Sequence, residues 1–297
     1  MTGTAPEIPT RLVVHALVRE DATVDAGELY SVADALGMSD QQVRLCVKRL
    51  VTEGRFTQEG RGRKALLRAT AADVAESLVP KVAYVRHAYE QDRGLAPWDG
   101  RWHLFAFAIP ESARAARDAL RDALLGLGAV AVQGGLYVSA NAVEPLVDER
   151  ARRLGVLSAV TFLTSDDLRV GAARTPAALA SSLWPLTEIA ARYERLDVLA
   201  ESHLARLDAL PLPTGTERLT MAVELAAEFS RAMEPDPLLP LELLPAPWIG
   251  TRARERAARC WSRLLDAPGA DAEDRPRPRL FRLYAEVIQE GAAHRPE

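Results

Sequence analysis

The sequence predicts an α+β protein, and three observations carry that expectation. Three short helical patterns and then a basic, glycine-tipped hairpin open the chain. A strand–helix–strand–strand–helix–strand order fills its middle, and from about Pro176 onward the apolar spacing is helical. At 297 residues the chain has room for two or three domains, and the expected division is residues 10–92, 98–168 and 176–292.

Residues up to Thr10 read as a tail. Leu12, Val13, Ala16 and Leu17 form one stripe of a first helix, and a second helix is expected over 27–36, ended by Gly37. A third is expected over 40–53. Ser39 followed three residues later by Gln42 is a capping-box pattern, and Gly54 closes the helix. Residues 55–57 and 64–67 read as the arms of a hairpin with Glu59, Gly60, Arg61 and Gly62 at its tip. Three helices and a hairpin in this order make a winged helix-turn-helix. An amphipathic helix over 72–91 leads out, and residues 93–97 read as a linker.

In the middle block a strand over 101–109 is stopped by Pro110. The next helix carries Ala113, Ala116, Leu120, Leu124 and Leu127 on one face and Arg114, Arg117, Asp118 and Arg121 on the other. Strands over 129–133 and 136–139 are joined by Gly134-Gly135, a two-residue hairpin signal. A helix bearing Val143, Leu146, Val147 and Leu154 precedes a last strand over 156–163. This βαββαβ order is ferredoxin-like. The first and last strands are apolar on both faces, so the side not covered by these helices needs another cover: the C-terminal helices or a partner subunit.

The third part is expected to be all-helical. Leu186, Ile189, Ala190, Tyr193, Leu196, Ala200, Leu204 and Leu207 form one long stripe, broken by Leu210-Pro211-Leu212-Pro213. Leu219, Val223, Ala226, Phe229 and Met233 form another, and a third helix starts near Thr251 after a proline-rich apolar stretch. Residues 266–279 are polar and proline-rich, which predicts no regular structure, and a last short helix is expected over 280–289.

The charge pattern directs attention to the first part. The whole chain carries −4, yet residues 44–68 hold eight basic and two acidic residues, a local charge of +6. In a winged helix the third helix enters the major groove of DNA. Val43, Val47, Leu50 and Val51 suit its inner side, which turns Gln41, Arg44, Leu45 and Lys48 outward together. Glutamine pairs in two-hydrogen-bond fashion with adenine and arginine with guanine. Ser39 and Gln42 stand where the helix offers free amides to a phosphate. Arg61, Arg63 and Lys64 surround the glycines of the wing and are expected to reach phosphates or the minor groove, while Arg49 is equally suited to the inner domain surface. The candidate DNA-binding residues are therefore Ser39, Gln41, Gln42, Arg44, Leu45, Lys48, Arg61, Arg63 and Lys64. The partner expected is double-stranded DNA, read as an inverted repeat by a homodimer.

Other chemistries find little support. The two cysteines, Cys46 and Cys260, have no metal-ligand spacing and suit a reducing cytoplasm. The N-terminus has no signal-peptide pattern, and no apolar run is long enough for a membrane span. His15, His87, His103, His203 and His294 lie on separate elements, Ser139 lacks a nucleophile-elbow setting, and Gly134-Gly135 is a turn and not a phosphate loop. No catalytic residue, metal or cofactor is expected.

Several segments resemble the PaaX family of regulators. They are Gln42 to Gly54 in the third helix; Trp98-Asp99-Gly100-Arg101-Trp102; Pro110-Glu111 with Arg114 and Arg117-Asp118; Leu183-Trp184-Pro185-Leu186 with Tyr193; and Asp236-Pro237-Leu238-Leu239-Pro240 with Glu242-Leu243-Leu244-Pro245. The resemblance runs from about Arg11 to Leu265, with Ala106 and Ala108 lighter than the usual pattern. It implies a dimeric repressor of aromatic-acid breakdown genes, with a winged-helix head, a Cas2-like middle domain and a helical tail, released from DNA by an aryl-acyl-coenzyme A such as phenylacetyl-coenzyme A.

Two rival readings accompany it. One is a winged helix turned to protein interaction. The other is a Cas2-like metal nuclease, which needs a carboxylate ending the first middle strand; residues 105–109 supply none before Glu111, and Asp166-Asp167 reads as a loop. For the effector, Trp98, Arg101, Trp102, Trp184, Arg192 and Trp248 are the candidate binding residues, because pockets at domain junctions favour aromatic linings and coenzyme A phosphates need cations.

Overall fold

The computed structural model describes residues 8–70, 82–266 and 277–292. The expected N-terminal tail up to residue 7, the first half of the helix expected from residue 72 and most of the proline-rich stretch after 266 lie outside these residues. Internal contacts divide the chain into two compact units. One comprises the chain up to Arg86 together with Arg192–Glu234 and everything from Arg252 on; the other comprises His87–Ala191 and Pro235–Thr251.

The first unit opens with helix α1 (Thr10–Ala16), strand β1 (Thr23–Asp25), helices α2 (Ala26–Ala35) and α3 (Asp40–Thr52), and strands β2 (Phe56–Glu59) and β3 (Leu66–Ala69). Asp25 caps α2 by accepting from the Glu28 amide. Ser39 and Gln42 form the expected capping box on α3: the Ser39 hydroxyl accepts from the Gln42 amide, and Gln42 Oε1 accepts from the Ser39 amide at 2.7 Å. Val43, Val47 and Leu50 are buried on the inner side of α3, each contributing roughly 1.5–3 kcal/mol by leaving water. The hairpin arms are shifted from those expected: the first runs on to Glu59, which leaves the tip, and the second begins two residues later, at Leu66. Phe56 pairs with Ala69 and Glu59 with Leu66, and a tight turn at Gly62–Lys64 fills the tip. The sheet has a third strand, in the order β1-β3-β2, with Val24 opposite Leu67. Three residues are too few to show an alternating pattern, so β1 was not anticipated.

The same unit contains part of helix α8 (Leu186–Asp208), helix α9 (Gly215–Met233), most of α10 (Ile249–Asp266) and α11 (Arg279–Ala292). A capping box at Thr214 and Glu217 starts α9. The α9 helix packs against α2, and the lead-in to α11 pairs with the turn after α1: the Arg279 amide donates to the Val18 carbonyl at 2.8 Å, and Arg282 meets Glu20 at 2.9 Å. Trp261 stacks on Tyr284 with 4.4 Å between ring centroids.

The second unit contains the end of helix α4 (Val82–Asp92), strand β4 (Trp102–Phe107), helix α5 (Arg114–Gly126), strands β5 (Val130–Gln133) and β6 (Leu136–Ser139), helix α6 (Glu144–Arg153), strand β7 (Val160–Ser165) and helix α7 (Pro176–Leu183). The sheet order is β5-β6-β4-β7, antiparallel throughout, which is the ferredoxin-like order expected from the βαββαβ pattern. Phe105, Leu120, Leu124, Tyr137, Val147 and Ala151 form the core between the sheet and its two helices. The last strand starts later than the apolar run implies, because Leu157–Ala159 turns once as a 3-10 helix before β7.

The opposite face of β4 is also covered. Trp102 is 1% exposed and stacks on Trp184, with centroids 6.2 Å apart. The returning segment 235–251 is fastened here: Asn141 donates to the Pro237 and Leu238 carbonyls, and Gln91 donates to the Leu238 carbonyl at 2.8 Å. Gly128, at φ +81°, lies so close to Pro237 that a Cβ would sit 2.6 Å from its carbonyl oxygen.

Candidate nucleic-acid interface

The basic segment 44–68 comes together where α3 faces the β2–β3 hairpin. Two local features fix it. The capping box sets where α3 begins, and its three buried valine and leucine anchors set its rotation. Positive backbone angles at Gly60 (+82°) and Gly62 (+60°) allow the hairpin tip its tight path. With α3 so rotated, Gln41, Arg44, Leu45, Lys48 and Arg49 are all exposed, and Leu45 is 58% exposed despite being apolar.

Between helix and hairpin lies a groove of about 340 Å³. Its walls bring together Arg44 and Lys48 of α3, Arg61 of the hairpin tip, Gln58 of β2 and Tyr30 of α2. Among the described residues, Arg44, Lys48 and Arg61 take part in no ion pair, so all three charges face open solvent. Gln58 and Tyr30 were not singled out from the sequence. An exposed glutamine on an edge strand and a tyrosine on the second helix carry no motif of their own.

The remaining candidates are placed differently. Ser39 is exposed but its side chain is engaged in the cap, as is the Oε1 of Gln42, which leaves the Gln42 amide donors facing outward. Lys64 is exposed on the tight turn. Arg63 is exposed as well, but its Nη2 lies 3.1 Å from Asp40 Oδ1, and its guanidinium sits 5.2 Å from the centre of the Tyr30 ring. Cys46 lies half-buried on the flank of α3, where burial pushes its thiol pKa up.

The aromatic candidates for an effector divide between the units. Trp98, Trp102 and Trp184 come together in the second unit: Trp98 meets Trp102 edge-on with centroids 5.5 Å apart, and Trp102 stacks on Trp184. The indole N–H of Trp98 donates to the Arg101 carbonyl and that of Trp184 to the Gly128 carbonyl. Their polar edges thus serve the fold. Trp248 is buried in the same unit, and Arg101 is exposed. Arg192 belongs to the first unit, where it donates to the Arg231 carbonyl. Asp167, one of the two acids after β7, is held bidentately by Arg169.

In class this is a multidomain α+β protein built on a ferredoxin-like sheet, with an exposed cationic groove in its other unit. Residues 95–180 match the PaaX protein central Cas2-like domain, and residues 184–272 match the PaaX-like protein C-terminal domain. Together these cover well over half of the chain, which belongs to the PaaX family, a family of regulators rather than enzymes. No curated protein matches. Among solved structures, the chain resembles the uncharacterised protein Rv0674 from Mycobacterium tuberculosis at 24% identity, over 86% of this chain and 94% of that one, with a TM-score of 0.46. A likeness at that level carries no argument about function.

Proposed function

We propose that this protein is a DNA-binding transcriptional repressor of the PaaX type, with residues 10–92 as a winged helix-turn-helix reader. Residues 98–168 then form the Cas2-like domain and 176–292 a helical region. The observation that carries the reading is the groove between α3 and the hairpin, where Arg44, Lys48 and Arg61, which have no ion-pair partner among the described residues, are exposed beside Gln41 and Leu45. Cations without carboxylate partners are the groups that release counterions when they meet phosphates. A glutamine and a leucine on the same helix face offer an adenine contact and an apolar patch for a thymine methyl.

In this reading α3 lies in the major groove, with Gln41, Arg44, Leu45 and Lys48 toward base edges and phosphates. The amino end of α3 at Ser39 and Gln42, with Arg61 and Lys64 on the wing, holds the backbone. A homodimer presents two such heads to an inverted repeat, with half-sites about 10–10.5 base pairs apart or a multiple of it. The effector is an aryl-acyl-coenzyme A, as in the founding members of the family, and it favours a head spacing that no longer fits the DNA. The packing of α2 on α9 supports this, since it ties the reader directly to helices of the C-terminal part.

A band-shift titration against duplex spanning the region upstream of the protein's own gene tests the proposal. A discrete shift at low salt, reversed by phenylacetyl-coenzyme A, is the expected result. Absence of any shift at low salt ends the DNA reading, and a shift that no aryl-acyl-coenzyme A relieves ends the effector assignment.

A further inference from the structure

The cations around the groove fall into two kinds. Arg44, Lys48 and Arg61 line it and have no acidic partner among the described residues. Arg63 does not line it, and its guanidinium is in use on both its edge and its face: an ion pair with Asp40 in the first turn of α3 and a cation–π contact with Tyr30 of α2. Arg63 therefore joins three elements, the hairpin tip, α2 and α3. The backbone around it is drawn in the same direction. The Ala26 amide donates to the Ala65 carbonyl at 3.1 Å, and a Cβ on Gly27 would sit 3.1 Å from the Arg63 carbonyl oxygen.

We propose that Arg63 is a positioning residue that clamps the wing against α2 and α3, setting the groove width in which Arg44, Lys48 and Arg61 meet a nucleic-acid backbone. The inference rests on the DNA-binding reading for its purpose but not for its mechanics. A hairpin tip carrying two glycines samples many conformations when free, and each must be given up on binding. Holding the tip in place beforehand leaves less to be lost. The Asp40 carboxylate, which would otherwise repel phosphates at the mouth of the reader, is neutralised by the same contact.

The role of Asp40 separates positioning from direct contact. Were Arg63 a phosphate ligand, replacing Asp40 would free its charge, remove a repulsive acid and tighten binding. Under the clamp, Asp40→Asn weakens binding instead.

The test uses the full chain and two readouts. In the free protein, hydrogen exchange of the amides at 60–65 is measured for wild type, Arg63→Ala, Asp40→Asn and Tyr30→Leu; each variant is expected to exchange several-fold faster there than wild type. On duplex from the gene's upstream region, Arg63→Ala is expected to weaken binding by about tenfold with an unchanged salt slope, Asp40→Asn to weaken it, and the double variant to be no weaker than Arg63→Ala alone. Unchanged exchange at the wing in Arg63→Ala overturns the clamp. So does a salt slope lower by about one, the mark of a lost phosphate contact, or a tighter Asp40→Asn complex. Failure of the wild type to bind duplex sinks the DNA reading separately, while exchange in the free protein still decides whether Arg63 holds the wing.

Discussion

Ser39 and Gln42 hold the first turn of α3 from both sides: the serine hydroxyl accepts from the Gln42 amide, and the glutamine carbonyl accepts from the Ser39 amide at 2.7 Å. Exposed capping boxes of this kind contribute about 1 kcal/mol. Ser39→Ala is expected to lower stability to denaturant by that amount without altering the rest of the fold. Equilibrium unfolding in urea, followed by circular dichroism, measures it.

Arg44 and Lys48 face solvent from the groove, and their side chains make no hydrogen bond or ion pair among the described residues. Replacing either with alanine is expected to leave thermal unfolding unchanged, weaken duplex binding, and lower the slope of log affinity against log salt by about one. Titrations at four or five salt concentrations by fluorescence anisotropy give the slope. Unchanged affinity in both variants would mean that the groove is not where DNA is held.

Gly128→Ala strikes the second unit at its tightest backbone contact. The new Cβ meets Pro237 at 2.6 Å on a backbone angle that side chains rarely adopt. Since backbone has little room to yield, a loss of about 3 kcal/mol is expected, at the upper end for an overpacked site. Thermal or chemical unfolding of the purified variant reads it, and a wild-type value would show that the 235–251 segment moves aside freely.

Glu217 is held by the Thr214 backbone and by Arg206, and these bonds lower its pKa to about 2. A carboxylate depressed in the folded state adds stability above its ordinary value near 4.5, and that contribution fades as pH falls toward 2. The stability difference between wild type and Glu217→Ala is thus expected to be full at pH 6, to shrink below about 4.5 and to be mostly gone near pH 2. Denaturant melts across this range check the sign.

Cys260 is fully buried on α10, and burial pushes its thiol pKa up to about 12. Under native conditions at pH 8 it is expected to resist a thiol reagent such as dithionitrobenzoate, and to react once the chain is unfolded in guanidinium. Absorbance during labelling, with mass spectrometry to place the label, distinguishes it from the half-buried Cys46.

The readable parts of this protein were those governed by local rules. Spacing of Val43, Val47 and Leu50 fixed the outward face of α3, the Ser39–Gln42 pair announced its start, and Gly134-Gly135 marked the hairpin between β5 and β6. Features made by distant partners were not readable. Nothing in the sequence pairs Arg63 with Asp40 and Tyr30, or places His103 between Asp99 and Glu144, because those neighbours are brought by the fold and not by spacing. The aromatic residues near the expected junctions gave a mixed outcome. Three tryptophans do cluster, but with two indole N–H groups spent on backbone carbonyls, and Arg192 lies in the other unit.

The interleaving of the two units has a consequence for how the chain matures on the ribosome. The ferredoxin-like sheet is complete at Ser165, yet its unit also needs residues 235–251, and the unit bearing the reader needs helices from beyond Arg252. The second unit cannot finish assembling during synthesis until residue 251 has emerged, and the first must wait for the helices that follow Arg252. Early fragments would expose the apolar backs of α2 and β4, a vulnerable interval in which chaperone capture competes with folding.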